Sequence, residues 1–268
     1  MLPFPRKGSV LIVTLWILAI LSLLGIQYSL TARLDTCIVR EGEGGWRDYF
    51  HALEVLECAK AMLLYSQGRE EGDRPLLFPD GVARRLEFPW GKAEVAVEDE
   101  EGKVNLNTAP RGEIYSVLVQ VGVDEYQADI IADSILDWRD PDRLVRVNGA
   151  EEGFYEGLPH PYRPADGPFK VLTEMLLVRG VTYSLFWYSP GLWRYFTIYS
   201  SGRYDPRLSP QYFQGDEGED APRPSVVKGH VYRFVVTILR RDGKGRRALV
   251  WWGRCTGKNF VEVDRLVW

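Results

Sequence analysis

The sequence predicts an α+β fold in which a long N-terminal helix packs on an antiparallel sheet and a large all-helical insertion interrupts that sheet. Three observations predict it. Apolar residues recur at helical spacing up to residue 63. Alternating apolar residues typical of strands appear near residue 86 and return after residue 190, while residues 103–190 show helical spacing instead. With 9 Trp, 14 Tyr and 11 Phe, the 268 residues can build a substantial core.

The N-terminal stretch is apolar enough to cross a membrane. Arg6 and Lys7 stand before it, and the 24 residues 9–32 carry no charge. As a helix they can span a hydrocarbon core of about 30 Å. Basic residues on the N-terminal side favour a cytoplasmic N-terminus and export of the rest of the chain. We therefore expect a transmembrane half-helix over residues 9–32, and an exported body whose helix and first strands occupy residues 33–102.

A glycine, Gly8, precedes this apolar run, and helical sequence continues beyond it. An ordinary secretory signal has a shorter apolar region with a cleavage site after it, and such a signal or an uncleaved signal anchor is the alternative here. The order resembles the class III leader of type IV pilins and type II secretion pseudopilins, which a prepilin peptidase cleaves after the glycine. The resemblance implies cleavage between Gly8 and Ser9, loss of residues 1–8, methylation of Ser9, and a single pass through the bacterial inner membrane with the body in the periplasm.

The exported body is predicted to begin with a helix and a hairpin. Apolar residues at i, i+3, i+4 and i+7 spacing continue the helix to Leu63. Gly42, Gly44 and Gly45 interrupt the pattern, and the sequence leaves open whether residues on either side form one long helix with a flexible point here or two helices. Residues 86–88 and 93–98 indicate two strands around a tight turn, and the charged run 99–103 indicates a solvated turn.

Residues 103–190 are predicted to be an all-helical insertion. Thr108 is a candidate N-cap for a helix over residues 110–121, which has a proline in its first turn. A second helix is expected over residues 126–138, and a similar unit recurs at residues 169–181.

The strand pattern returns in residues 191–268, which we expect to supply the C-terminal strands of the body. Residues 195–200 are one strand candidate. Residues 231–239 and 248–252 flank a charged tip and predict a hairpin, and residues 261–263 are expected to close the sheet.

The two helices on either side of Gly122 resemble the helix-hairpin-helix modules of DNA-uptake receptors. Such modules hold a phosphate with backbone N–H groups at a Gly-x-Gly turn beside Lys or Arg. Here the turn 122–125 has one glycine and two acids, and the chain has a net charge of −4. Nonspecific nucleic-acid binding depends mostly on basic residues that face phosphates. We therefore expect the fold of such a module without its DNA chemistry, and no nucleic acid as a partner.

An acidic motif comes after the second predicted helix. Asp137, Asp140 and Asp142 precede the pair Glu151 and Glu152. Carboxylates two apart on a loop can converge on one hard cation, and Ca²⁺ takes six to eight oxygen ligands. A capped, solvated loop at the end of a helix accounts for the same residues, so the motif taken alone leaves both interpretations open.

Residues 136–142 together with residues 148–155 resemble the Asp-Trp-x-Asp-x-Asp…Gly-Ala-Glu-Asp…Tyr signature of the type II secretion minor pseudopilin K family. Residues 175–181 are similar to a later segment of that family. The resemblance implies a pilin-like fold whose insertion binds calcium. The ligands that it implies are Asp140, Asp142, Glu151 and Glu152. Glu152 stands where the family usually has Asp.

The same resemblance implies a function. Such a protein caps the pseudopilus tip together with the I- and J-type minor pseudopilins and initiates fibre assembly for protein export across the outer membrane. Most subunits carry a glutamate at the fifth mature residue, which neutralises the N-terminus of a neighbour; counted from Ser9 this position is Val13, and K-type members characteristically lack the glutamate. A minor pilin of a type IV pilus and a DNA-binding protein of a DNA-uptake system are the alternatives.

No catalytic residues are expected. His51, His160 and His230 lack metal-ligand spacing, and the sequence contains neither a Gly-x-Ser-x-Gly motif nor a P-loop. An acid/base pair of Asp137 and Asp140 is conceivable in an enzyme, but no feature of the sequence places the two in a cleft.

The sequence contains three cysteines, an odd number, so they cannot all form disulfides within the chain. Cys37 and Cys58 would lie about 31 Å apart on one helix, too far to pair. At most one of them can meet Cys255 in an oxidising periplasm, and three free thiols are the equally good alternative.

Overall fold

The computed structural model describes residues 45–67, 77–189, 191–210, 223–239 and 245–267. The chain divides into two units, Met1–His51 and Ala52–Trp268. Within the described part, no helix is both long and apolar enough to cross a membrane. The predicted leader, the predicted transmembrane segment 9–32 and the glycines at 42 and 44 lie outside the described residues.

An antiparallel sheet forms the body of the second unit. Its strands are Arg84–Phe88 (β1), Gly91–Asp99 (β2), Val231–Leu239 (β5), Gly245–Cys255 (β6) and Phe260–Val267 (β7). They lie in the order β1-β2-β5-β6-β7. Two local hairpins meet where β2 pairs with β5, so that Asp99 lies opposite Tyr232. The predicted α+β architecture is confirmed, and the insertion leaves and re-enters the sheet at this one point.

One face of the sheet is covered by helix. Residues 45–65 are helical (α1). In the second unit, Lys60 Nζ of this helix lies 4.2 Å from the ring centroid of Trp251 on β6, and Trp90 Nε1 donates to Glu54 Oε2 at 2.7 Å. The buried helical residues share one stripe at spacings of three and four, as the sequence pattern predicts. They are Ala52, Val55, Leu56, Ala59 and Leu63.

The opposite face packs against the insertion. Val231, Val250 and Trp252 of the sheet are part of the insertion's hydrophobic core. The helices of the insertion are Arg111–Gln120 (α2), Glu125–Arg139 (α3), Glu152–Glu156 (α4) and Tyr183–Trp187 (α5). The predicted pair of helices around Gly122 is present as α2 and α3.

The unit predicted to recur at residues 169–181 is a shorter element. Its helical part is a 3₁₀-helix, Leu172–Leu177, that ends at Val178. The carboxylate of Glu174 accepts hydrogen bonds from the backbone N–H groups of Lys170 and Val171, at 3.0 and 3.1 Å. This capping closes the first turn, and six residues is a long run for the 3₁₀ form.

The prediction that residues 195–200 join the main sheet is wrong. Only Phe196–Thr197 (β4) is a strand, and it pairs in parallel with Val104–Asn105 (β3) as a separate two-stranded sheet. Both residues of β4 are buried because the segment runs through the insertion. A short apolar run is compatible with any buried extended segment, so the pattern could not name its neighbour. The insertion is therefore not all-helical, and its packing continues past residue 190.

The prediction that residues 99–103 form a solvated turn is also wrong. They do form a turn, a 3₁₀-helix at Glu100–Gly102, but Glu100 and Lys103 are buried. Lys103 Nζ pairs with Glu98 and lies 3.4 Å from Glu100 Oε1. Arg233 of β5, 0% exposed, places its Nε 2.8 Å from the same oxygen. Each buried charge thus meets an opposite charge, without which its burial would be very costly.

Arg233 also holds the segment by which the insertion returns. Its Nη2 donates to the carbonyl of Phe196 at 3.1 Å, and its Nη1 donates to the carbonyl of Trp193. Burial opposes ionisation of Glu100, but Arg233 and Lys103 together hold the pKa of that carboxyl below its ordinary value. One buried guanidinium therefore ties both the outgoing and the returning segment of the insertion to β5.

Candidate metal centre

Helix α3 carries a row of carboxylates. Asp129, Asp133 and Asp137 recur every fourth residue, which places them on one face of the helix. Asp124 caps its start by accepting from the backbone N–H groups of residues 126 and 127. The helix ends at Arg139 because Pro141 disfavours a helical conformation at the residue before it, and Asp140 is indeed extended, with ψ 154°.

The loop after α3 folds back onto these carboxylates. Asp137 Oδ2 accepts from the backbone N–H of Arg146 at 3.2 Å, and Asp133 Oδ2 accepts from that of Asn148 at 3.1 Å. Gly149 approaches so closely that a Cβ there would lie 1.9 Å from Asp137 Oδ2. The fold-back returns the chain to the end of α3, where Glu151 faces the acids at the start of the loop.

Three carboxylates converge at this place. Asp140, Asp142 and Glu151 each offer one oxygen, and the three oxygens lie within 4.8 Å of one another. Glu151 is only 5% exposed, and neither of its carboxylate oxygens has a hydrogen-bond partner among the described residues. Asp140 Oδ1 is likewise buried without a partner there. Buried oxygens without partners are costly unless an ion or a water satisfies them, and hard oxygen donors are the ligands that Ca²⁺ takes.

The centre carries excess negative charge. Burial raises the pKa of Glu151 to about 7, and the negative charges of Asp137, Asp140, Asp166 and Asp142 add to the increase. Burial also raises the pKa of Asp137, although its hydrogen bonds with Arg146 oppose the shift. A divalent cation at the three oxygens would reverse this balance and favour the ionised carboxylates. The donor set and its electrostatics therefore fit a calcium ion.

The segment that carries the acidic centre is similar to a known protein family. Residues 97–187, which contain this entire centre, match the family model described as type II secretion system (T2SS), protein K. The type II secretion system protein K of Aeromonas hydrophila is 27% identical over 204 residues, which cover 68% of this chain and 61% of that protein. The protein K of Pectobacterium carotovorum subsp. carotovorum is 24% identical over 200 residues, which cover 68% and 60%.

This chain is similar to type II secretion system protein K, most specifically over residues 97–187. The matches span about three fifths of the length of these protein K relatives. A chain in the crystal structure of the GspK-GspI-GspJ complex from the enterotoxigenic Escherichia coli type 2 secretion system has the same fold. Its TM-score is 0.54 at 16% identity, over 86% of this chain and 99% of that chain.

The fourth acid implied by the protein K resemblance lies apart from the other three. Glu152 is the first residue of α4, and its Oε1 is 3.1 Å from Arg163 Nε. Its Oε2 lies 3.7 Å from Arg143 Nη2. Glu151, the residue before the helix, is extended, so the two neighbouring side chains point in different directions. The structure thus brings Asp140, Asp142 and Glu151 together without Glu152.

Two further residues of the centre were not among the ligands that the resemblance implies: Asp137, which the sequence placed in the acidic motif, and Arg146, which it did not single out. Asp137 is fully buried beside the candidate ligands, and Arg146 bridges it to Asp140. The spacing of Asp137 from Asp133 and Asp140, one helical turn in each direction, is a signal that could have placed Asp137. No local pattern distinguishes Arg146 from Arg143, since both stand in the same charged loop.

Several predicted features lie outside the described residues. They include the processing site at Gly8 and Ser9, the tip-position residue Val13, and Cys37. Of the described cysteines, Cys58 and Cys255 are both free thiols. They do not pair with each other, and a pairing that involves Cys37 stays a prediction.

Proposed function

We infer that this protein is a protein K, a minor pseudopilin of a bacterial type II secretion system, with a structural role at the tip of the pseudopilus. The observation that carries the inference is the match of residues 97–187 to protein K, which covers the insertion and its acidic centre. A pilin-like body enlarged at a single point of its sheet is suited to assembly. The proposed role is to initiate the fibre that drives export across the outer membrane.

The proposal includes the membrane anchor. Cleavage by the prepilin peptidase after Gly8 leaves Ser9 as the methylated first residue, and the apolar residues 9–32 hold the protein in the inner membrane with its body in the periplasm. The basic residues before Gly8 support this orientation.

Val13 supports a position at the tip. A carboxylate at the fifth mature residue would neutralise the N-terminal amine of a subunit above, and an unpaired charge among apolar helices is expensive. Val13 offers no carboxylate, so we propose that no subunit lies above this one. The partners proposed at its side are the I- and J-type minor pseudopilins. One chain of a solved complex of GspK, GspI and GspJ has the same fold as this protein, which supports these partners.

Co-expression tests this assignment. The full chain, affinity-purified in detergent with I- and J-type pseudopilins of the same bacterium, should yield a stable complex with one copy of each. The major pseudopilin, added as a control, should not replace either partner. Immunogold labelling of assembled fibres should mark one end. Labelling along the whole fibre would contradict the tip position, and failure to recover the complex would contradict the partners.

The turn between α2 and α3 does not favour the DNA-binding alternative. Gly122 and Val123 donate their backbone N–H groups to carbonyls of α2, and Asp124 occupies the first free N–H groups of α3. A phosphate at this turn would also meet the carboxylates of Asp124 and Glu125. We therefore propose a structural role, without nucleic-acid binding or catalysis.

We also propose that Asp140, Asp142 and Glu151 bind calcium, which joins the loop to the end of α3 and so stiffens the insertion. Calcium at a hundredfold excess over Kd should stabilise the protein by about 2.7 kcal/mol. EGTA should therefore lower its Tm, and Glu151→Gln should abolish the response. Without calcium the variant should melt no earlier than wild type, because it lacks a buried charge surrounded by like charges.

Glu152→Gln is the matched control, since it makes the same chemical change one residue away. Glu152 pairs with Arg163 outside the centre, so its calcium response should equal that of wild type. A wild-type Tm that is the same in calcium and in EGTA would exclude the site.

A further inference from the structure

Arg146 lies inside the acidic centre and binds two carboxylates at once. Its Nη1 donates to Asp137 Oδ1, and also to Asp140 Oδ2 at 2.6 Å. Its backbone N–H donates to Asp137 Oδ2 at 3.2 Å. Both oxygens of Asp137 are therefore engaged by one residue. Asp140 keeps its other oxygen, Oδ1, which is buried and has no hydrogen-bond partner among the described residues.

This geometry sorts the acids of the centre into two groups. Asp137 belongs to the helix, and each of its oxygens already accepts a hydrogen bond from Arg146, so a metal ion there would have to lie beside the positive guanidinium. Asp140 is extended and lies just past the helix end, and Arg146 fixes it relative to Asp137. The guanidinium lies between these two carboxylates and donates to one oxygen of each.

We propose that Arg146 is a positioning residue of the calcium centre. Its guanidinium is a built-in cation that leaves Asp140 one oxygen with which to bind the metal ion and keeps Asp137 out of the set of ligands. The centre therefore takes one Ca²⁺ instead of two. The proposal rests on the calcium binding proposed above. Four ionised acids, Asp137, Asp140, Asp142 and Glu151, meet one guanidinium here. One Ca²⁺ then neutralises most of the remaining charge, and a second would be repelled by both cations at short range.

Counting bound ions tests the exclusion. The full chain in detergent, equilibrated by dialysis against calcium chloride, should bind one Ca²⁺ as wild type and two as Arg146→Gln, because the variant removes the guanidinium from Asp137 Oδ1 and Asp140 Oδ2 and leaves both oxygens free to bind a metal ion. Arg143→Gln is the charge-matched control. The side chain of Arg143 is 80% exposed and lies 3.7 Å from Glu152, so this variant should still bind one ion.

Affinity tests the positioning separately. The double variant Asp137→Asn with Arg146→Gln removes one negative and one positive charge, so the net charge matches wild type and no buried charge is left alone. It should bind one Ca²⁺ with an affinity roughly 10–100-fold weaker, the usual effect of losing a group that orients a metal ligand. If Arg146→Gln alone does not fold, this double variant decides the proposal.

The outcomes separate the two proposals. One ion in both wild type and Arg146→Gln, two ions in Arg143→Gln, or an unchanged affinity of the double variant would overturn the role of Arg146 and leave the calcium centre standing. No ion in wild type and one in Arg146→Gln would support the built-in cation while refuting calcium binding by the native protein. No ion in either protein would refute both.

Discussion

Arg233→Met should lower the free energy of unfolding by about 3–5 kcal/mol, the usual effect of removing one partner from a buried ion pair. Methionine approximates the length of the arginine stem, so little volume is lost. The fully buried Glu100 loses the guanidinium 2.8 Å from its Oε1, and the carbonyls of Trp193 and Phe196 lose a donor. Lys103 remains, but its Nζ is farther away, at 3.4 Å. Urea unfolding monitored by fluorescence measures the change.

Arg254→Met on the neighbouring strand is the control for this experiment. Arg254 is exposed and donates to the carbonyl of Gly229 at 3.1 Å, so its loss should change stability by no more than about 0.5 kcal/mol. Adding Glu100→Gln to Arg233→Met should recover part of the loss, because the orphaned charge is then removed. Equal effects of Arg233→Met and Arg254→Met would show that the buried pair does not hold the insertion on the sheet.

The two hairpins of the sheet could be predicted because their signals are local. Alternating residues in β2 and β5, and a short turn before β2, define each strand without reference to distant parts of the chain. The pair β3 and β4 could not be predicted, since a two-residue strand is too short to show a period. The burial of Glu100 and Lys103 could not be predicted from the sequence for a related reason. Arg233, which pairs with Glu100, lies more than a hundred residues away along the chain, and a charged run near a glycine is usually solvated.

The metal centre shows the same division between local and distant information. The spacing of Asp140, Asp142 and Glu151 predicts three candidate ligands on one loop, and the structure brings them together. Which of the two adjacent glutamates faces the centre depends on where α4 begins, a boundary that sequence patterns locate poorly. The role of Arg146 depends on the path by which the loop returns along α3, which no spacing rule describes.

Gly149→Ala should disrupt the centre and destabilise the protein at the same time. A Cβ at this position would lie 1.9 Å from Asp137 Oδ2 and 3.2 Å from the Cβ of Arg146. Asp137 cannot yield, because it is buried on α3 and both of its oxygens are held by Arg146, so the loop must move and carry Glu151 away from Asp140 and Asp142. Adding a methyl group to a packed site costs about 1–3 kcal/mol. In calcium the loss should be larger by the binding term of about 2.7 kcal/mol at a hundredfold excess over Kd.

Gly153→Ala provides the comparison that makes the expectation specific. Gly153 lies four residues further along in α4, and nothing lies within 4 Å of a Cβ built there. Alanine favours a helix over glycine by up to about 1 kcal/mol, so this variant should be neutral or slightly more stable and should bind calcium as wild type does. Urea unfolding in calcium and in EGTA separates the two contributions. Gly149→Ala should lose stability in both conditions and should show no calcium-dependent difference. A Gly149→Ala protein that unfolds and responds to calcium like Gly153→Ala would show that the close contact between this glycine and Asp137 does not hold the ligands in place.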